Sequence, residues 1–153
     1  MKEQPIPIDE LLAEKRAGLI RLSPEEAALQ MASGSLLIDI RYLEQKLRDG
    51  VIPGAVQVNT NELEWRCNPS TEDRYRSPRI IRNDYDQPLM IFCNQGCQSS
   101  LKAAALQELG LQSVTDVIGG FEAWEAAGLP YKPPNVLHKL GAKVIRLADK
   151  VSK

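Results

Sequence analysis

The hydrophobic positions along the chain change period in a regular way. Ile8, Leu11, Leu12 and Lys15 fall at helical spacing, predicting a helix over residues 8–17 with Gly18 as a left-handed stop. Leu19–Leu22 alternates as a brief strand. Ser23-Pro24-Glu25-Glu26 has the form of a capping box with proline at the first helical position, so a helix is predicted over 24–32. Leu36–Ile40 is apolar apart from Asp39, the mark of a strand buried on both faces, and Asp39 sits near its C-terminal end. A short polar helix over 43–48 and a turn over 50–55 lead to a strand at Val56–Val58, with residues 61–66 helical. Leu89–Phe92 is wholly apolar, a helix starts near Ser99 and runs to Leu109, and Val114–Ile118 is a further strand. Gly119-Gly120 forms a tight turn, followed by a helix over 121–127 that Gly128 stops. Strands alternating with helices predict an α/β fold: a five-stranded parallel sheet with helices on both faces.

Composition changes this picture little. The 153 residues suit one domain, and 43% hydrophobic with 25% charged residues leaves no compositional reason for disorder. Nineteen basic and twenty acidic residues give a formal charge of −1, which argues against a nucleic-acid footprint spread over the surface. The N-terminus lacks a signal-peptide apolar run, and no stretch approaches the length of a membrane span, so a soluble, cytoplasmic protein is expected. Three cysteines, Cys67, Cys93 and Cys97, are too few and too odd for a secreted disulfide scaffold and fit a reducing compartment. Cys93 and Cys97 are not a paired-thiol knuckle, and the single histidine, His138, lies far along the chain; no metal and no cofactor are expected.

The residues that carry chemistry lie between the apolar strand ending at Phe92 and the helix after it. In parallel sheets ligands collect at the C-terminal ends of strands, where loops lead into helix N-termini. Cys93 falls there. The loop Cys93-Asn94-Gln95-Gly96-Cys97-Gln98, closed by Ser99, can turn its amides inward with a helix dipole behind them, presenting partial positive charge to a reactive sulfur or a bound oxyanion. Gly96 suits a tight inward curl. Asp39 and Arg41 alternate across the end of a strand, where Arg41 either turns to the loop mouth and meets an anionic donor or forms an ordinary salt bridge bracing the strand end. Trp124 is read as packing.

Four blocks, Leu37-Ile38-Asp39-Ile40-Arg41, Ile52-Pro53-Gly54-Ala55, the run from Ile91 to Ser100, and Gly119-Gly120-Phe121-Glu122-Ala123-Trp124 with Gly128-Leu129-Pro130, stand in the order of the rhodanese-like domain family. The chain resembles that family over roughly residues 19–130. The resemblance implies a three-layer sandwich and a sulfurtransferase. In such an enzyme Cys93 takes a sulfane sulfur from thiosulfate or a persulfide, becomes a persulfide itself, and passes the sulfur to a thiol-type acceptor. It also implies Asp39 and Arg41 as the polar pair near the loop and Gly119-Gly120 as the turn closing beside it. A non-catalytic or redox-regulatory binding module on the same fold is the alternative.

Three positions depart from the family pattern. Gln98 stands where Arg is frequent, leaving the loop without formal charge, so thiosulfate should be held weakly. Val51 stands where His is frequent. Cys97 is a second thiol, which could release sulfide from a Cys93 persulfide if the two came close enough to bond, although side chains around such a loop usually splay outward. Related folds with a longer loop act as phosphatases, with Arg six residues after the cysteine; that position is Ser99 here, which disfavours phosphatase chemistry.

Residues 1–18 then form an N-terminal helical extension, 19–130 the domain, and 131–153 a tail. Leu137, Leu140, Val144, Leu147 and Val151 recur at helical spacing, with Lys139, Lys143, Arg146, Lys150 and Lys153 facing away from them, predicting a basic amphipathic helix. The tail holds six basic residues against Asp149, a charge of +5, which leaves −6 on residues 1–130. Expected partners are a small sulfur donor or a persulfide-bearing protein, and a second copy of the chain through this helix.

Overall fold

The apolar runs at 36–39 and 89–92 lie side by side at the centre of the sheet, which is why neither tolerates a polar face. The computed structural model describes residues 4–72, 77, 79–80, 84–134, 146–147 and 150–151. Five parallel strands, β1 (Arg21–Leu22), β2 (Leu36–Asp39), β3 (Val56–Gln57), β4 (Leu89–Phe92) and β5 (Val114–Val117), are ordered β1-β5-β4-β2-β3. The helices are α1 (Ile8–Ala17), α2 (Pro24–Ala32), α3 (Leu43–Asp49), α4 (Leu63–Cys67), α5 (Gln98–Glu108) and α6 (Gly120–Ala126), with a 3₁₀ turn at Thr60–Glu62 before α4.

Alternation along β4 divides the core in two. Leu89, Ile91 and Cys93 join Ile38 and Ile40 against Leu63 of α4 and Ala103 and Leu106 of α5. Met90 and Phe92 join Leu37 against Ala27 of α2 and Phe121 and Trp124 of α6. Phe92 meets Phe121 and Trp124 edge to face, with centroids 6.4 and 6.1 Å apart. Trp124 is packing, as expected, and its indole N–H donates to Pro130 O at 3.0 Å.

The capping box forms as the spacing predicts: Ser23 Oγ accepts from the Glu26 amide at 3.1 Å and Glu26 Oε2 from the Ser23 amide at 2.8 Å. Gly18 behaves differently. It closes α1 at φ −93°, and the Leu19 amide turns back to Arg16 O at 3.0 Å, so no left-handed residue is required. The strands are also shorter than the apolar runs: β1 omits Leu19 and Ile20, β2 omits Ile40, β3 omits Val58 and β5 omits Ile118. Pairing along the ladder, rather than hydrophobicity, sets their ends.

Helix α1 packs against α5, so the N-terminal segment lies on the body of the fold. Residues 131–134 also fold back on it, since Val51 and Lys132 exchange backbone bonds at 2.9 and 2.7 Å and Tyr131 stacks edge to face on Phe121. Most of the expected tail helix lies outside the described residues; of its apolar stripe Leu147 and Val151 are described, and both are exposed. Part of the irregular stretch 67–87 lies outside them too. Its ends are held by Ser70 Oγ and Tyr85 OH at 2.8 Å and by Ile80 in the core. Among the described residues no helix is long and apolar enough to cross a membrane.

Leu106 has no exposed surface, whereas Leu109, the residue that caps the end of α5, is exposed. Leu106→Ala should lower unfolding free energy by about 3 kcal/mol, the cost of a buried cavity. Leu109→Ala should change it by well under about 1 kcal/mol. Urea denaturation of the two variants checks the contrast.

Candidate active site

Cys93 is the first residue after β4, where the ladder stops and the chain must turn. Its side chain continues the inward face of Leu89 and Ile91, so the sulfur is buried. The loop then wraps it. The Gly96 amide donates to Cys93 Sγ at 3.2 Å and the Ser99 amide, in the first turn of α5, at 3.3 Å. Two N–H groups and a helix N-terminus thus face one sulfur, the charge pattern that suits an anion.

The backbone around Cys93 is fixed from α6. The Phe121 amide donates to Cys93 O at 2.9 Å and the Glu122 amide to Asn94 O at 3.1 Å. These bonds require the turn to press on the loop, and a Cβ on Gly120 would collide with the Cys93 carbonyl oxygen. Gly119 and Gly120 have φ of +72° and +55°. Gly96, at φ +78°, has the Gly119 amide nitrogen 2.6 Å from where its own Cβ would be. Only glycine fits this contact. The side chains of Asn94 and Gln95 both donate to Glu122 Oε1, at 3.3 and 3.1 Å.

Asp39 and Arg41 resolve into the bracing arrangement. Both side chains are fully buried; Arg41 Nη2 and Nε lie 2.8 and 3.1 Å from Asp39 oxygens, and Nη2 also donates to Gly50 O at 2.8 Å. The guanidinium carbon sits 4.2 Å from the Phe121 ring centroid. Its Nε and Nη2 are committed to a carboxylate and a carbonyl and its face to a ring, while the buried Nη1 has no hydrogen-bond partner among the described residues.

A second buried network was not anticipated from the sequence. Asp116 of β5 has no exposed surface and accepts from Arg21 Nε and Nη2 at 2.9 and 3.1 Å, Ser99 Oγ at 3.0 Å and Ser100 Oγ at 2.8 Å. Arg21 Nη2 also reaches Gly96 O at 3.0 Å. Arg16 of α1 donates to the same carbonyl at 2.8 Å and to Ser100 Oγ at 3.0 Å. A lone carboxylate in the apolar stretch Val114–Val117 was the one visible signal for this cluster.

A cavity of about 240 Å³ opens beside Cys93, lined by Ile40, Arg41, Tyr42, Gln45, Thr60 and the loop itself. Cys97 and Gln98 stand at it with exposed side chains, and the three cysteines are free.

The family model for the rhodanese-like domain matches residues 23–127. The chain belongs to the rhodanese-like domain family. Two relatives are thiosulfate sulfurtransferases GlpE. The one from Pseudomonas entomophila is 35% identical over 107 residues, covering 69% of this chain and 84% of the relative. The one from Pseudomonas savastanoi is 30% identical over 106 residues, covering 69% and 87%. Among solved structures, a protein of unknown function from Rhodopseudomonas palustris, described as a possible tyrosine phosphatase, superposes with a TM-score of 0.72 at 29% identity, covering 86% of this chain and all of that one. The rhodanese fold and rhodanese-type sulfur transfer go with this membership. A phosphatase clamp is absent here, because the position six residues after Cys93 is Ser99, whose hydroxyl is turned to Asp116.

Burial, followed by the nearby Glu64 carboxylate, pushes the Cys67 thiol up to about 12. Below about pH 9 both folded and unfolded chains keep it protonated; between there and 12 only the unfolded chain ionises it, so alkali removes folding stability. Iodoacetamide at pH 8 should label exposed Cys97 and leave Cys67 unmodified until denaturant is added, which peptide mapping reads directly.

Proposed function

We propose that Cys93 is the sulfur carrier, taking a sulfane sulfur from thiosulfate or an organic persulfide and passing it to a thiol. The observation that carries this reading is the sulfur of Cys93 held by the Gly96 and Ser99 amides at the base of a cavity. The Cys93 thiolate attacks the outer sulfur of thiosulfate, the S–S bond breaks, and sulfite leaves with the bonding pair. The result is a Cys93 persulfide whose outer sulfur carries the charge. An acceptor thiolate then attacks that sulfur, the new S–S bond breaks, and the acceptor departs as a persulfide while the Cys93 thiolate returns. No oxidant is consumed, and the loop residues Asn94, Gln95, Gly96, Cys97, Gln98 and Ser99 supply amides rather than charge.

Donor preference follows from how little net charge the cavity presents. Thiosulfate is a dianion, and among the described residues the cationic side chain lining the cavity, Arg41, has its charge balanced by Asp39 and offers only its unpartnered Nη1. A persulfide on a small thiol or a protein suits this neutral cavity better. Three free thiols and the thiol acceptor favour a reducing, cytoplasmic setting.

Intact-mass and peptide analysis after exposure to thiosulfate or a persulfide donor should show a gain of about 32 Da, one sulfur, on Cys93 and none in Cys93→Ser. No adduct from either donor would overturn the proposal. Gln98→Arg should lower the thiosulfate KM by about five- to tenfold, by adding a charge-assisted partner, and leave turnover with a persulfide donor nearly unchanged. Steady-state kinetics with both donors measures this.

A further inference from the structure

Helix α1 ends before residue 23, where the family match begins, yet it places a guanidinium against the loop that holds Cys93. We propose that Arg16 is a positioning residue for sulfur transfer, acting through the Gly96–Cys97 peptide. The proposal rests on Cys93 being the sulfur carrier and adds a residue outside the matched segment that controls it.

The argument starts from peptide geometry. In a trans peptide the C=O of one residue and the N–H of the next point in opposite directions, and among the described residues no peptide is cis. Three donors converge on Gly96 O: Arg16 Nη2 at 2.8 Å, Arg21 Nη2 at 3.0 Å and, when its proton is turned that way, Ser100 Oγ at 3.1 Å. With those groups gathered on the carbonyl side, the Cys97 N–H faces the other way, toward the interior of the loop. Gly96 N and Ser99 N already hold Cys93 Sγ. The Cys97 amide is therefore the one turned toward the added outer sulfur of a persulfide, which carries the negative charge. A carbonyl polarised by two guanidinium groups also makes the amide of the same peptide a stronger donor.

Arg21 and Arg16 differ in how they are committed. Arg21 is bidentate on buried Asp116, and removing it leaves a buried carboxylate short of partners. Among the described residues Arg16 pairs with no carboxylate. Its partners are Gly96 O, Ser100 Oγ and, at 3.9 Å, Cys97 Sγ. All three belong to the loop or to the first turn of α5. Docking of α1 has its own exposed tie, Lys15 Nζ to Glu108 Oε1 at 2.7 Å, so the helix does not depend on Arg16 for its attachment to α5.

The test uses the full chain, steady-state kinetics with a saturating persulfide donor, and thermal melting. Arg16→Gln should lower kcat and kcat/KM together by about tenfold, with melting temperature within a few degrees of the parent. Arg16→Lys, which restores one charged donor, should recover part of that loss. Lys15→Gln should leave turnover unchanged. Amide hydrogen exchange on the persulfidated protein gives a second reading, in which protection at Cys97 falls in Arg16→Gln. Full turnover in Arg16→Gln would overturn the proposal, as would an equal loss in Lys15→Gln. So would unchanged Cys97 protection. Should Arg16→Gln not fold, intermediate turnover with reduced Cys97 protection in Arg16→Lys supports the proposal, and parental values for both overturn it. Formation of the Cys93 adduct in the parent protein is measured separately, so failure here leaves the carrier assignment standing.

Discussion

A carboxylate with no exposed surface must be given donors, and Asp116 receives them from three residues on two separate elements. Arg21 comes from the edge strand β1, while Ser99 and Ser100 come from the first turn of α5. An unpaired buried charge would cost several kcal/mol, so these elements are held in one relative position. The loop between β4 and α5 inherits that position at both ends. It leaves β4 beside β5, and it re-enters the fold at residues bonded to the β5 carboxylate. The Ser99 amide then falls within reach of Cys93 Sγ, and Arg21 extends past Asp116 to the Gly96 carbonyl. The cradle for the sulfur is thus a consequence of satisfying Asp116, with α6 completing it from the opposite side through the Phe121 and Glu122 amides.

The two buried arginine pairs do different work. Arg41 with Asp39 fastens the end of β2 to Gly50 and to the Phe121 ring, and offers the cavity it lines a charge balanced by the carboxylate and one unpartnered atom, Nη1. Arg21 with Asp116 fastens β1 to β5 and keeps one N–H for the loop. Arg16 and Arg21 therefore act on the loop from behind, through a carbonyl, while a ligand in the cavity meets only the balanced charge of Arg41. A phosphatase arrangement would need the reverse, a guanidinium at position 99 aimed at the bound anion. Here position 99 carries a hydroxyl turned inward to a carboxylate, which leaves amide dipoles as the groups facing the reacting sulfur.

What the sequence reveals divides by distance along the chain. Cys93, Gly96 and Ser99 lie within seven consecutive residues between a fully apolar strand and a helix, so the cradle is a local motif and readable as one. The capping box at Ser23 is local in the same sense. Asp39 and Arg41 are two residues apart, yet their orientation depends on Phe121, which only the fold brings alongside. The meeting of Arg16, Arg21 and Asp116 was not legible, although the lone carboxylate of β5 was visible. Asp116 stands 95 positions after Arg21 and 100 after Arg16, and their meeting depends on β1 lying at the sheet edge next to β5. Hydrophobic periodicity predicts that a strand exists; it does not say which neighbour the strand takes. The same limit explains the over-long strands, because Ile20 carries the apolar pattern beyond the first paired residue of β1, Arg21.

The three thiols show how burial separates chemistry that composition cannot. Cys67 closes α4 within the core, where desolvation favours the neutral thiol and leaves it a small hydrophobe. Cys93 is nearly as buried, but two N–H groups share its surroundings with the apolar core, so the exclusion of water strengthens the bonds those amides make to its sulfur. Cys97 is exposed, four residues from Cys93 and 3.9 Å from the Arg16 guanidinium, within the loop yet outside the cradle. Its amide and its side chain therefore belong to different environments. The backbone of Cys97 is committed to the loop's geometry, while its thiol faces solvent, so the side chain can be exchanged for serine without disturbing the amide. Cys97 also lines the cavity beside Cys93, so release of sulfide would draw on its side chain, whereas sulfur transfer draws on the amides of the loop.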